Sequence, residues 1–261
     1  MVSRALILCR SWERPARGPG AAQSDINGDI ANPACAAETA KPGHSAGLDY
    51  QMGRALLAKH NLIGARRQFE LAVSKGYRAA QIDLANLLVN PSAATLDAKR
   101  AVLLYEKAWR DGVPIAAFEI GHLYEEGFPN PNAAAPGTLQ PDLARAWSWY
   151  QKGADVSEPS ALARFAERHE SSALAENDPS RRNADLLKAF TFYAAAAERA
   201  HDEDWPDEAW RNWRYRRATL ARLLAREGMM QRVAYAYIAA RDKRTSHTPT
   251  LWEEIEAKFH L

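Results

Sequence analysis

Cysteine is nearly missing from this chain: 261 residues carry two, Cys9 and Cys35, and none follows Cys35. A disulfide framework is therefore excluded for the body of the fold, and no thiol nucleophile is available there; a single tether within the first segment stays open. Long apolar runs are also absent, since no stretch approaches the roughly 18 consecutive apolar residues of a membrane span. Charge of one sign is lacking too: 34 Lys and Arg against 32 Asp and Glu leave a formal net charge of +2. The protein as a whole thus has no electrostatic footprint for a polyanion. Neither a phosphate-cradling Gly-rich loop nor a Gly-x-Ser-x-Gly elbow occurs. The seven histidines form no ligand constellation, because His169-Glu170 lacks a second imidazole four residues on and His201-Asp202-Glu203-Asp204 reads as an acidic turn. Adjacent carboxylates such as Glu125-Glu126 and Glu253-Glu254 diverge on a helix and share no substrate. No metal, no cofactor and no enzymatic activity are expected.

What the chain has in abundance is one small pattern, an alanine, three residues, an aromatic, two residues and a small residue. It reads Ala65, Phe69, Ala72, then Ala101, Tyr105, Ala108, then Ala146, Tyr150, Gly153, then Ala189, Tyr193, Ala196, and loosely Val233, Tyr237, Ala240. Successive starts lie roughly 36 to 45 residues apart, the range of helical-hairpin repeats. On a helix these positions share one stripe, where alanine lets axes approach and the ring fills the gap between layers. A matching rule runs through the preceding helices, where Met52-Gly53, Leu84-Ala85, Ile120-Gly121 and Phe165-Ala166 place large beside small.

Apolar periodicity and Gly/Pro punctuation predict helices over about 48–57, 62–75, 79–89, 96–110, 115–126, 142–153, 160–175, 185–200, 206–228, 229–243 and 250–259. Residues 1–46 mix Pro, Gly, Ala, Ser and Asn without period and are expected to be a disordered or loosely docked leader. Residues 47–204 then form the repeats, and 205–261 the helices that complete and cap the array. The start Met1-Val2-Ser3-Arg4-Ala5-Leu6-Ile7-Leu8 begins like a secretory signal, but Arg10 cuts it short, and no small residue precedes Cys9 as lipoprotein processing requires. A cytoplasmic location is the default expectation; a mis-assigned start codon hiding a true signal would make it periplasmic.

The third unit carries a longer signature: Gly121-His122-Leu123-Tyr124-Glu125-Glu126-Gly127, then Asp142, Arg145-Ala146, Trp149-Tyr150 and Lys152-Gly153-Ala154. It resembles the Sel1-like repeat family, with Arg145 standing where lysine is usual and Gly153 where alanine is usual. The resemblance implies an all-α fold, a right-handed superhelical stack of antiparallel helix pairs of tetratricopeptide type. The variable spacing favours it over an ordinary tetratricopeptide array, whose repeat is fixed near 34 residues. It also implies a protein–protein adaptor or scaffold, in signalling or bacterial envelope assembly, or an immunity protein that neutralises a secreted bacterial effector.

In such a stack the first helices line the groove. Aligned layers put Asp83, Glu119 and Arg164 at one groove position and Asn86, His122 and Glu167 at another, and these six are the candidate protein-binding residues. A competing surface is Trp210-Arg211-Asn212-Trp213-Arg214-Tyr215-Arg216-Arg217 with Arg222 and Arg226, where rings and guanidiniums interleave as a single-stranded nucleic-acid site requires. The plainer reading buries Trp213, Leu220, Leu223 and Leu224 as a stripe and pairs the arginines with Glu208 and Glu227. The balanced total charge favours that reading, so nucleic acid is an unlikely partner.

Overall fold

A computed structural model describes residues 26–92, 96–128, 137–203, 205 and 207–242. The expected helix over 250–259, residues 1–25 and Cys9 lie outside the described residues. Among the described residues the chain is all helical, with an isolated bridge between Phe128 and Leu139 and no strand. The helices are α1 Gly28–Thr39, α2 Ala46–Ala58, α3 Leu62–Ser74, α4 Arg78–Leu88, α5 Ala98–Arg110, α6 Ile115–Glu126, α7 Leu143–Asp155, α8 Pro159–Ala175, α9 Pro179–Asp202, α10 Asp207–Arg226 and α11 Met230–Asp242.

Side-chain caps set several of these starts by satisfying a backbone donor that the first turn leaves unpaired. Asn61 accepts from the Gly64 N–H at 2.9 Å, Asp97 from that of Arg100 at 2.9 Å, and Asp178 from that of Arg181 at 2.9 Å. The Asp178 cap, followed by Pro179 in the first turn, begins α9 six residues before the expected start at Asp185. The segment read as a break between helices is the cap itself.

The chain divides between Ala146 and Trp147 into two compact units. In the first, each helix from α1 to α6 packs on the next. Ala65, Phe69 and Ala72 of α3 are buried, as are Ala101, Tyr105 and Ala108 of α5. The facing helices present Leu84 and Ala85 of α4 and Ile120 and Gly121 of α6, all buried. Gly53 shows why a small residue is needed: a Cβ there would stand 2.5 Å from the Phe69 ring. At the end of α6, Gly127 has φ +68° and lies so near Pro141 that a Cβ would come within 2.7 Å of it. Both features draw the two ends of the Pro/Asn/Ala/Gly insertion together, and the Asp142 N–H donates to the Tyr124 carbonyl at 2.6 Å.

The second unit is organised around α9, which packs against α8, α10 and α11. Its buried residues run from Leu187 to Ala200 and include Ala189, Tyr193 and Ala196 of the repeat stripe. Val233 and Ala240 of α11 are buried and Tyr237 is half-buried, so the loosest copy of the pattern also faces inward. On α10, Leu220 and Leu224 are buried and Trp213 is partly so, whereas Leu223 is exposed. Leu220 and Leu224 are four residues apart and share the inner face; Leu223 falls about 100° round the helix from Leu224, toward solvent.

One further difference concerns the leader. Residues 28–39 form α1, capped by Asn27 and resting on α2 through Ala31, Ala34 and Cys35. Its buried face consists of Ala31, Ala34, Cys35 and the Lys41-paired Glu38, and its Ile30 is exposed, which is why the sequence shows no apolar period there.

Because the Phe69 ring already fills the space a Cβ would take, Gly53→Ala is expected to destabilise the protein by about 1–3 kcal/mol in urea unfolding. Unchanged stability would show that the ring can yield.

Candidate functional site

Phe69 holds its layer with a bare ring, whereas Tyr105, Tyr150, Tyr193 and Tyr237 occupy the same place with a hydroxyl added. A phenol that is buried along its ring needs a polar partner at its tip. Around Tyr105 and Tyr193 those partners build two polar clusters, one in each unit.

In the first unit the Tyr105 hydroxyl donates to the Asn86 side-chain oxygen. Burial pushes its ionisation well above the ordinary phenol range, and the carboxylates of Glu119 and Asp83 push it in the same direction. Asp83 and Asn86 come from α4, Tyr105 from α5 and Glu119 from α6, so three successive helices converge. Three of the six sequence-derived residues therefore share one site. Glu119 is half-buried, and that desolvation raises its carboxyl from 4.5 to about 7. Among the described residues, no cation or hydrogen-bond donor offsets this, and no cation figures among the influences on Tyr105.

His122, expected beside them, turns elsewhere. Its ring stacks on Phe118, with centroids 6.0 Å apart, and its Nε2 lies 3.6 Å from Glu126 Oε2, one turn on along α6.

Arg164 and Glu167 belong to the second unit, where they pair with each other along α8. The Tyr193 hydroxyl donates to Glu170 Oε2 at 3.1 Å, and Arg216 of α10 donates to the other oxygen of that carboxylate at 2.8 Å. Burial again raises the phenol, joined by Glu170 and Glu167, while the Arg216 guanidinium opposes them. The two clusters thus use the same ring position with opposite completion: α6 adds a carboxylate in the first unit, α10 a guanidinium in the second. The pairing of Glu170 with Arg216 has no local sequence signal, because the two are 46 positions apart. The tyrosine-for-phenylalanine exchange along the stripe was the available signal.

The arginine-rich helix is largely engaged within its own unit. Arg217 pairs with Glu198 at 3.1 Å and lies over the Tyr237 ring, and Arg214 lies over Trp210. Arg216 and Arg217 thus meet Glu170 and Glu198, not Glu208 or Glu227. Trp210 is buried, and its indole N–H donates to the Trp205 carbonyl at 3.2 Å.

A third polar cluster, in the first unit, is closed. The buried Asp49 carboxylate meets His44 Nε2 and Lys75 Nζ, each at 2.6 Å, which ties the entrance of α2 to the end of α3. In the second unit, His169 stacks on Phe192 and lies 3.1 Å from Asp185; burial lowers its pKa and Asp185 works against that. Among the described residues, no three His, Cys, Asp or Glu side chains are gathered to hold a metal, and no helix is long and apolar enough to cross a membrane.

Comparison with family models finds none that matches the chain, and comparison with curated proteins finds no match either.

Glu119 has a folded-state pKa above its unfolded value, so folding favours its protonated form. Below about pH 4.5 both states hold the proton and nothing is lost; between about 4.5 and 7 the penalty grows, reaching up to about 3 kcal/mol above pH 7. Glu119→Gln is expected to unfold at higher urea concentration than wild type at pH 8 and to converge with it at pH 4. Parallel pH profiles would place the carboxyl in water.

Proposed function

We propose that this protein is a non-enzymatic helical-repeat adaptor that docks another protein on the face carrying Asp83, Asn86 and Glu119, above the buried Tyr105. The observation that carries the reading is the half-buried Glu119 carboxyl beside Asp83 and Tyr105, with no cation among the described residues to offset it. Holding a carboxyl in that place works against folding, and a basic side chain brought by a partner would reverse the penalty on binding. The Sel1-like signature of the third hairpin supports the same class, since such repeats serve as adaptors and expose their first helices to partners. A right-handed superhelical stack is the arrangement this reading assigns to the hairpins. The narrower role, neutralising a secreted bacterial effector, rests on that resemblance alone.

Nucleic-acid binding through α10 is the other reading. The burial of Trp210 and the engagement of Arg216 and Arg217 with Glu170 and Glu198 favour the adaptor over it. Stacking on bases requires open ring faces and available guanidiniums.

The full chain and its Asp83→Lys/Glu119→Lys variant, both checked for helical content by circular dichroism, serve as baits in lysate from the source cells. A protein retained in stoichiometric amount by the wild type and lost from the variant is the expected result. Retention that the double reversal leaves unchanged would move the contact off this face. Capture that nuclease abolishes would favour the nucleic-acid reading.

A further inference from the structure

We infer that Asn27 is a site of spontaneous deamidation and that its isoaspartate product loosens α1 from α2. Asn27-Gly28 is the one Asn-Gly pair in the sequence. The inference is independent of the docking face on α4, α5 and α6.

The pair arises because the structure makes a separate demand at each position. Asn27 caps α1, its Oδ1 accepting from the N–H groups of Asp29 at 3.0 Å and Ile30 at 3.3 Å. Gly28 lets α1 lie against the end of α2, where a Cβ would stand 2.6 Å from Lys59 Cγ and 3.3 Å from the Ala55 carbonyl oxygen. A capping amide and an unhindered backbone nitrogen are thereby placed side by side. Asn27 is exposed, so water reaches its amide. Gly28 is the first helical residue, whose N–H has no carbonyl of the helix to bond, and no Cβ shields its nitrogen.

The cap resists cyclisation while the first turn stays closed, and little closes it. The inner face of α1 offers Ala31, Ala34, Cys35 and Glu38, while Ile30 is 49% exposed. Pro33 removes the N–H that a helix would aim at the Asp29 carbonyl. Lys59 Nζ reaches Asp29 at 2.8 Å in an exposed pair of the kind that contributes least.

When the turn opens, the Gly28 nitrogen gives up its proton and attacks Cγ of Asn27. The N–Cγ bond forms, the Cγ–Nδ2 bond breaks and the amide leaves as ammonia, with no change of oxidation state. Water then opens the cyclic imide at either of its two carbonyls. Cleavage of the new N–Cγ bond gives aspartate, which keeps an acceptor at the cap and adds negative charge at the positive end of the helix. Cleavage of the original peptide bond gives isoaspartate, in which the chain runs through Cγ and is one methylene longer. That product loses both the cap and the fit of Gly28 against α2.

The full chain is kept in mildly alkaline heavy-oxygen water, digested in acid, and its peptides are separated and weighed. Asn27 should exchange its amide for a heavy-oxygen carboxylate at least tenfold faster than Asn61 and Asn86, each of which precedes a leucine. Conversion no faster than theirs, or conversion only when urea is present, would overturn the site. In the aged chain a population should appear whose amide exchange over 28–39 is at least tenfold quicker, its share matching that of isoaspartate, while α8 and α9 stay unchanged. Asn27→Asp, which carries the other product, should keep the protection of α1. Unaltered protection in the aged chain, or an equal loss in Asn27→Asp, would show that the rerouted main chain is not what loosens the helix.

Discussion

The structure depends on one contact, that of an aromatic ring flanked by two small residues on one helix with a large-small pair on the helix before it. Ala101, Tyr105 and Ala108 are buried against a neighbour that offers Leu84 and Ala85, and the same geometry recurs with Ala189 and Tyr193 against Leu162 and Ala166. Alanine permits the axes to approach, and the ring occupies the volume this leaves. Where the ring is Phe69, the neighbour must recede to glycine, as Gly53 does. Fixing the ring also fixes the point in space that its para position reaches.

That point is where the layers acquire chemistry. Phenylalanine would end each ring in hydrocarbon; tyrosine ends it in a hydroxyl that requires polar company. The company differs between units. Around Tyr105 the neighbouring helices supply Asp83, Asn86 and Glu119, and the cluster is left rich in carboxylates. Around Tyr193 they supply Glu170 and Arg216, and the charge is balanced internally. A single packing device thus yields one cluster whose charge is carboxylate alone among the described residues and one whose charge is balanced by Arg216.

Much of this was legible in the sequence, and the limits have identifiable causes. Helices α3 to α8 were visible because their inner faces follow a 3.6-residue period and their ends carry Asn, Asp, Gly or Pro. Helix α1 has no such signal because small residues, a buried Glu38 and a proline give no apolar period, and α9 extends beyond its apolar period to the Asp178 cap. Aligning the layers brought Asp83, Asn86 and Glu119 to one site, since those positions are fixed by their distance from the packing residue. His122 meets Phe118 and Glu126, and Arg164 meets Glu167, each within about a turn on its own helix, while Glu167 also adds its charge to the Tyr193 cluster. The engagement of Arg216 and Arg217 could not be read at all, because their acidic partners come from other helices and nothing in local spacing encodes that meeting.

The account separates what the ring does from what its hydroxyl does, and urea unfolding of Tyr105→Ala beside Tyr105→Phe tests that separation most directly. Removing the ring should cost about 3–5 kcal/mol, as loss of a buried aromatic does, while removing the hydroxyl alone should cost about 1 kcal/mol. Equal losses in the two variants, or a loss under about 1 kcal/mol in Tyr105→Ala, would contradict a fold held by its aromatic stripe.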